Sequence, residues 1–229
     1  MNVGYLHVGP NTDLVNSSID SVRRVMPHAK VTLMTDSETP EIDCDTRIEK
    51  EYDGLLMPYR LLHLSCLPEG EWLFLDTDTI VLRDVSSVFR ESFDVALTKR
   101  DIVIDPNGVN LAETMPYNTG VMFSTSKNFW EECYRACKGF HVELKKWWGD
   151  QLAVRLVAKH EGFDEFRPKR KFKVLELDVD PYNFTPHYGQ EHLDYPDKYI
   201  LHYKGKRKEW MLKKFGRKTR AETDKSVCI

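Results

Sequence analysis

No stretch of the chain approaches the ~20 consecutive apolar residues that a membrane-spanning helix needs, so nothing in it reads as a bilayer span. The amino terminus, MNVGYLHVGP, lacks the basic-then-apolar order of a secretory leader, and a cytoplasmic location is expected. The five cysteines, Cys44, Cys66, Cys133, Cys137 and Cys228, are odd in number and contain no Cys-x-x-Cys pair. That argues against both a disulfide framework and a zinc ribbon. Cys133 and Cys137, four apart on an expected helix, read as buried thiols. Internal repeats and low-complexity linkers are also missing. What remains is 229 residues, 41% hydrophobic and 11% aromatic, enough to close one sizeable core.

Net charge is only -3, but it is unevenly spread. Lys198 to Arg220 holds ten Lys and Arg against one acid, Glu209, while the preceding body is acidic. A basic end on an acidic body suits an anionic ligand or an anionic surface. It carries no recognition helix, zinc finger or RNA-binding signature, so nucleic acid is not the expected partner. A phosphate-bearing acceptor, peripheral membrane contact, or plain charge complementation of the acidic body each remain compatible with it.

Hydrophobic periodicity predicts alternating strands and helices. Strands are expected at Val3–Val8, Lys30–Thr35 (ending at Asp36), Trp72–Leu75, Phe93–Thr98, Gly120–Ser124, Val174–Leu177 and Tyr199–Tyr203. Helices are expected at Thr12–Val25, capped by Asn11 or Thr12, and at Met57–Leu67, Ser126–Lys138 and Asp150–Lys159. Asp101–Pro116 reads as a loop rich in Asp, Pro, Asn and Gly. This is an α/β chain whose first half looks like a nucleotide-binding βαβ arrangement, with the second half free to form an acceptor side.

The most informative segment is WLFLDTDTIVLRDV, Trp72 to Val85. An apolar strand delivers Asp76 and Asp78, then apolar sequence resumes. In an extended strand the two carboxylates share a face, where they repel unless a cation separates them. Two hard oxygen ligands at the carboxyl end of a buried strand suit a metal that handles a diphosphate. A plain turn also takes aspartate, but Thr79 to Leu82 are apolar or β-branched. Near the other end comes His202-Tyr203-Lys204-Gly205-Lys206-Arg207-Lys208. An imidazole can ligate a divalent ion, Gly205 lets backbone amides approach an anion, and Lys208 can neutralise a phosphate; a solvated basic loop is the plainer alternative.

Together these two elements resemble the GT-A glycosyltransferases, most closely the glycogenin-like and bacterial galactosyltransferase-like family, which joins an Asp-x-Asp to a late His-x-x-Gly-x-x-Lys-Pro-Trp. Asp76, Asp78, His202, Gly205, Lys208 and Trp210 match, and Glu209 replaces the proline. Arg60, sixteen residues before Asp76, Asn118-Thr119-Gly120, Gly149-Asp150-Gln151 and Tyr182-Asn183 extend the resemblance, while Arg155 stands where the family commonly has asparagine.

The resemblance implies one GT-A domain over residues 1–229, with a nucleotide-sugar half at 1–100, an acceptor half and phosphate loop at 101–220, and a tail at 221–229. It implies Mn²⁺ (or Mg²⁺) held by Asp78 and His202, with Asp76 shared between metal and donor hydroxyls. The donor, a UDP-sugar, would meet His7, Val8, Gly9, Asp36, Arg60, Asp76, Thr77, Asn118, Gly205 and Lys208. Arg60, Asp150, Gln151 and Lys208 would act at the reacting centre, and a sugar would pass with retention to a hydroxyl of a glycan, lipid-linked or other acceptor. The oxygen-rich donor set favours Mn²⁺ over Zn²⁺. If the outcome were inverting, Asp150 would be the first candidate base. Two alternatives stand beside this one. Phe74 to Ile80 also resembles the Asp-x-Asp of haloacid-dehalogenase-type Mg²⁺-dependent phosphatases, although that motif normally follows the first core strand and leaves the histidine element unused. A binding module for nucleotide sugars or glycans, without catalysis, is the other.

Overall fold

The computed structural model describes residues 1–100, 104, 108, 110–190 and 193–217. Cys228, the tail expected at 221–229 and part of the expected 101–116 loop lie outside them. Nine strands are described: β1 Asn2–Leu6, β2 Lys30–Thr35, β3 Thr46–Glu49, β4 Trp72–Leu75, β5 Thr79–Val81, β6 Val95–Lys99, β7 Tyr117–Ser124, β8 Val174–Leu177 and β9 Ile200–His202. The α-helices are α1 Asp13–Val25, α2 Leu56–Cys66, α3 Leu111–Thr114, α4 Lys127–Gly139, α5 Val142–Trp147, α6 Gly149–Ala158, α7 Val179–Tyr182 and α8 Lys208–Phe215.

Seven strands form one sheet in the order β3-β2-β1-β4-β7-β6-β8, all parallel except β7. β5 and β9 pair antiparallel in a second, two-stranded sheet. Strands buried on both faces read as continuous apolar runs, and β4, WLFL, is buried at every position. One face of the large sheet is covered by α2, α4 and α6. The α4 stripe Phe129, Trp130, Cys133, Ala136 and Cys137 repeats at helical spacing and packs with Leu61, Leu64, Phe74 and Val154. On the other face Val15, Ile19 and Val22 of α1 meet Val3, Leu33, Leu73 and Val85. A third cluster, Ile80, Leu201, Tyr203 and Met211, ties β5 and β9 to α8, with Leu14 of α1 against it.

The expected strands and helices are present, with ends displaced by a few residues in some of them. β3, β5, α3, α5, α7 and α8 were not anticipated as elements, Thr79 to Leu82 having been read only as apolar or β-branched. β3 is an edge strand, TRIE, with no fully buried residue, so it lacks the apolar run by which a buried strand declares itself. No described helix is long and apolar enough to cross a membrane. Cys133 and Cys137 are buried and free, and burial pushes the Cys137 thiol up to about 12.

Several cations of the described part of the basic carboxyl-terminal stretch face acids of the body. Lys198 lies 2.8 Å from Asp180, Lys214 2.8 Å from Asp194 and Arg217 2.7 Å from Asp20.

Candidate functional site

The site forms where topology brings the ends of β4, β7 and β9 together. β4 is central and ends at Leu75, so Asp76 emerges at the carboxyl edge of the sheet, where open α/β sheets bind ligands. Asp76 to Thr79 then makes a tight turn. The amide and hydroxyl of Thr79 both donate to the Asp76 carbonyl, at 3.3 and 2.8 Å. The two aspartates are thus brought together by a turn rather than by the two-residue repeat of an extended strand. β5 follows at once, and its pairing with β9 places Thr79 opposite His202. The Tyr203 amide donates to the Asp78 carbonyl at 2.8 Å, locking that register.

As a result His202 Nε2 lies 3.1 Å from Asp78 Oδ1 and 3.7 Å from Asp76 Oδ2. One ligand atom from each of Asp76, Asp78 and His202 falls within 4.8 Å of the others. Two carboxylate oxygens and an imidazole nitrogen make a donor set that fits a divalent cation such as Mn²⁺. Positive charge already surrounds it: Lys208 Nζ is 3.2 Å from Asp78 Oδ2, and Arg60 Nη2 is 3.0 Å from Asp76 Oδ1. Burial pushes the Asp78 carboxyl up, but His202 and Lys208 outweigh that and hold it at about 2.

The imidazole is aimed from behind. His202 Nδ1 donates to Asn183 Oδ1 at 2.8 Å, Asn183 Nδ2 donates to Thr98 Oγ1 at 2.8 Å, and Thr98 Oγ1 donates to the Asn118 carbonyl at 3.2 Å. This relay engages Nδ1 and holds the ring with Nε2 toward the carboxylates, the usual support for a ligating histidine. Its geometry comes from the backbone: the His202 amide donates to the Phe184 carbonyl at 2.7 Å, which sets Asn183 beside the ring. On the other side the ring lies against Gly120 of β7. A Cβ there would sit 2.6 Å from His202 Nδ1 and closer still to Cε1.

Because β7 runs antiparallel to β4, its first residues return to the end where β4 releases its aspartates. Arg60, from α2, donates to the Thr119 carbonyl at 2.8 Å and spans two acids, Asp76 and Asp150, the latter at 3.1 Å. Asp150 is 2% exposed. Its Oδ2 accepts from Arg60 and from the Thr119 hydroxyl at 3.0 Å, and its Oδ1 from the Gln151 amide at 2.8 Å. Burial raises its pKa, with Arg60 pulling the other way. The Gln151 carboxamide oxygen accepts from Arg100 of the segment after β6.

Two cavities flank this cluster. One of about 300 Å³ is lined by Leu6, Arg60, Asp76, Thr77, Asp78, Thr119, Trp147, Asp150, Gln151 and Lys208 among others. The second, about 660 Å³, holds Arg100, Asn118, Asn183, Lys204 and Arg207 among others. Asn118, expected on the donor side, lines the second cavity, and its side chain accepts from the Gly120 amide at 2.9 Å.

His7, Gly9 and Asp36 gather at the ends of β1 and β2. His7 Nε2 contacts the Gly9 carbonyl at 3.1 Å, the Gly9 amide donates to Thr39 Oγ1 at 3.0 Å, and Thr39 donates through its amide and hydroxyl to Asp36. Asp36 also lines a third cavity of about 450 Å³ with Glu49, Lys50 and Tyr52. Val8 is half-buried with no side-chain role in this cluster. Gly205 has φ +63°, a left-handed conformation that favours glycine, and open space at its Cβ direction, between Lys204 and the helix that carries Lys208. Arg155 lies away from both cavities, pairing with Glu161 at 2.9 Å.

Thr98, Arg100 and Trp147 were not singled out from the sequence, and Thr119 and Gly120 were read only as parts of the Asn118-Thr119-Gly120 segment. Thr98 bears no local signal. Trp147, 73% exposed on the cavity rim, stands in an unanticipated helix. The role of Gly120 had a signal: a lone glycine inside an apolar strand marks a close approach.

No protein-family model matches the sequence, and no curated protein does. Solved structures do. The glycosyltransferase GlyE of Streptococcus pneumoniae TIGR4 aligns over 95% of this chain and 66% of its own, at 14% identity and TM-score 0.58. The galactosyltransferase LgtC, solved with donor and acceptor sugar analogues, aligns over 98% of this chain and 100% of its own, at 12% identity and TM-score 0.63. The bifunctional glycosyltransferase WbbM aligns over 98% of this chain but only 51% of its own, at 13% identity and TM-score 0.57. This chain thus spans just under two thirds of GlyE and about half of WbbM, while matching LgtC end to end. Joined to the sheet order and its single reversed strand, these likenesses identify the architecture: the chain has the GT-A fold found in glycosyltransferase structures.

Proposed function

We propose that this protein is a metal-dependent glycosyltransferase that moves a sugar from a nucleoside diphosphate sugar, a UDP-sugar, to a hydroxyl of a glycan or lipid-linked acceptor, with retention. The observation that carries this reading is the meeting of Asp76, Asp78 and His202 within 4.8 Å on the cavity that also presents Arg60 and Lys208. The phosphatase alternative has no use for His202, which reaches both carboxylates.

Asp78 and His202, with Asp76 shared with the donor hydroxyls, would hold a divalent cation, which would supply positive charge at the departing diphosphate. Lys208 and Arg60 add charge on the same side, where negative charge grows as the bond from the anomeric carbon to the phosphate oxygen breaks. The acceptor oxygen forms its bond to that carbon, and its proton passes to the leaving phosphate on the same face. Asp150 has both oxygens engaged by Arg60, Thr119 and Gln151, so acting as a base would strip Arg60 of a partner. It serves better as the anchor that fixes Arg60. Gln151 lines the cavity beside it and orients the sugar. The basic carboxyl-terminal stretch complements the diphosphate and the acidic body.

A thermal-shift panel of nucleotide sugars with and without Mn²⁺ tests this, because a ligand of the native state raises the melting point according to its affinity. A UDP-sugar that stabilises only with Mn²⁺, and is slowly hydrolysed, is the expected result. Inertness toward every nucleotide sugar with metal present would end the proposal. Proton NMR of the product anomer reads the stereochemistry; a β-linked product from an α-linked donor contradicts retention.

A further inference from the structure

We propose that the acceptor carries an anionic group, a carboxylate or a phosphate, seated in the cavity of about 660 Å³ between Arg100 and Arg207; this rests on the sugar-transfer reading and names the class of its second substrate. The cavity adjoins the donor side at two points. Arg100 donates to Gln151, which lines the donor cavity, and Asn183, in its own wall, accepts from His202. A molecule bound there lies next to the proposed transfer centre.

The charge of the wall is what selects. Arg100 is half-buried and spends its hydrogen bonds on neutral oxygens, the Met115 carbonyl at 2.9 Å and the Gln151 carboxamide. Among the described residues no carboxylate forms an ion pair with it; burial lowers its pKa, with the charge of Asp150 pulling the other way. Arg207 lies over the Tyr188 ring at 3.9 Å and reaches the Lys204 carbonyl at 3.5 Å; its Nε is buried without a partner. Lys204 adds a further cation to the lining. The one acid in the described lining, Asp180, is occupied by Lys198 at 2.8 Å. Two guanidiniums without carboxylate partners among the described residues, from segments more than a hundred residues apart, give the forked donor geometry that recognises carboxylate and phosphate. Phe184, also in the wall, offers apolar surface for the rest of a sugar ring.

Direct binding tests this independently of turnover. Methyl glucoside, glucuronate and glucose 6-phosphate are titrated by calorimetry against the wild type, Arg207→Gln and Thr185→Glu, with melting curves confirming that each variant folds. Thr185 lines the same cavity and is half-buried, so a carboxylate there opposes an anion without removing an arginine. At least one anion should bind about tenfold more tightly than the neutral sugar, as a charge-assisted pair implies. The stronger of the two identifies carboxylate or phosphate. The preference should shrink with added salt and fall below about threefold in both variants. Equal affinity for neutral and charged sugars, absence of binding by all three, or a preference that survives both substitutions would each overturn the inference. Failure of the sugar-transfer reading shows elsewhere, as a lack of metal-dependent donor binding.

Discussion

Gly120→Ala should disable the proposed metal site without replacing a candidate ligand. The added methyl would sit 2.6 Å from His202 Nδ1 and nearer to Cε1, whereas carbon contacts settle at roughly 3.5–4.0 Å. The ring must therefore retreat by about 1 Å or more. It cannot simply tilt, since its Nδ1 is fixed to Asn183 and its backbone to Phe184. Moving it breaks the Nδ1 bond and draws Nε2 off the two carboxylates. Overpacking of this kind costs about 1–3 kcal/mol of stability, and loss of a ligand's supporting bond lowers metal affinity about 10–100-fold. Mn²⁺ titration followed by electron paramagnetic resonance, beside urea unfolding, measures both. The decisive comparison is a double-mutant cycle with His202→Ala. In that background the methyl meets no ring, only Asn118 Oδ1 at 3.0 Å, so Gly120→Ala should cost less stability than in the wild type and little further Mn²⁺ affinity. Full additivity, or wild-type Mn²⁺ affinity in Gly120→Ala alone, would refute the reasoning.

Arg60→Gln leaves Asp150 buried and Asp76 beside it with their shared cation gone, so stability should fall by about 3–5 kcal/mol in urea unfolding; a second change, Asp150→Asn, should recover part of that loss. Asn183→Ala removes the acceptor of the His202 Nδ1 proton and should weaken Mn²⁺ about 10–100-fold while the ligands stay in place, read by the same resonance titration. His63 is 1% exposed with both ring nitrogens unpartnered, and burial, aided by Lys50, lowers its pKa from 6.5 to about 4. The fold keeps it neutral, so its contribution is intact above pH 6.5 and is lost as pH falls from 6.5 toward 4. That window should cost at most about 2 kcal/mol after discounting for screening. His63→Phe should flatten that part of the stability curve; an unchanged slope counts against it.

The sequence announced the candidate ligands more clearly than their support. β4 is a run of four buried apolar residues, so its position and the aspartates that follow could be read locally. His202 and Lys208 were legible by type and spacing. What joins them was not, because the pairing of Thr79 with His202 is a contact across more than a hundred residues that neither segment encodes alone. The same holds for the relay from His202 through Asn183 to Thr98: Tyr182-Asn183 was legible as a segment but not as the support of the imidazole, and Thr98 is an ordinary polar residue until β6, β7 and β9 converge. The aspartates were expected to share a strand face, whereas the chain turns there because the Thr79 hydroxyl and amide bind the Asp76 carbonyl. α5 escaped notice because its six residues have no fully buried face to set a period. Arg100 drew no attention in sequence, since its position against Gln151 depends on the approach of β6 to α6.

Anomalous diffraction from crystals grown with Mn²⁺ and UDP tests the central claim most directly. One manganese peak should appear within bonding distance of carboxylate oxygens of Asp76 and Asp78 and of His202 Nε2, with the diphosphate on its open side. A peak that leaves Asp78 or His202 uncoordinated, or no peak in that cavity, would contradict the account.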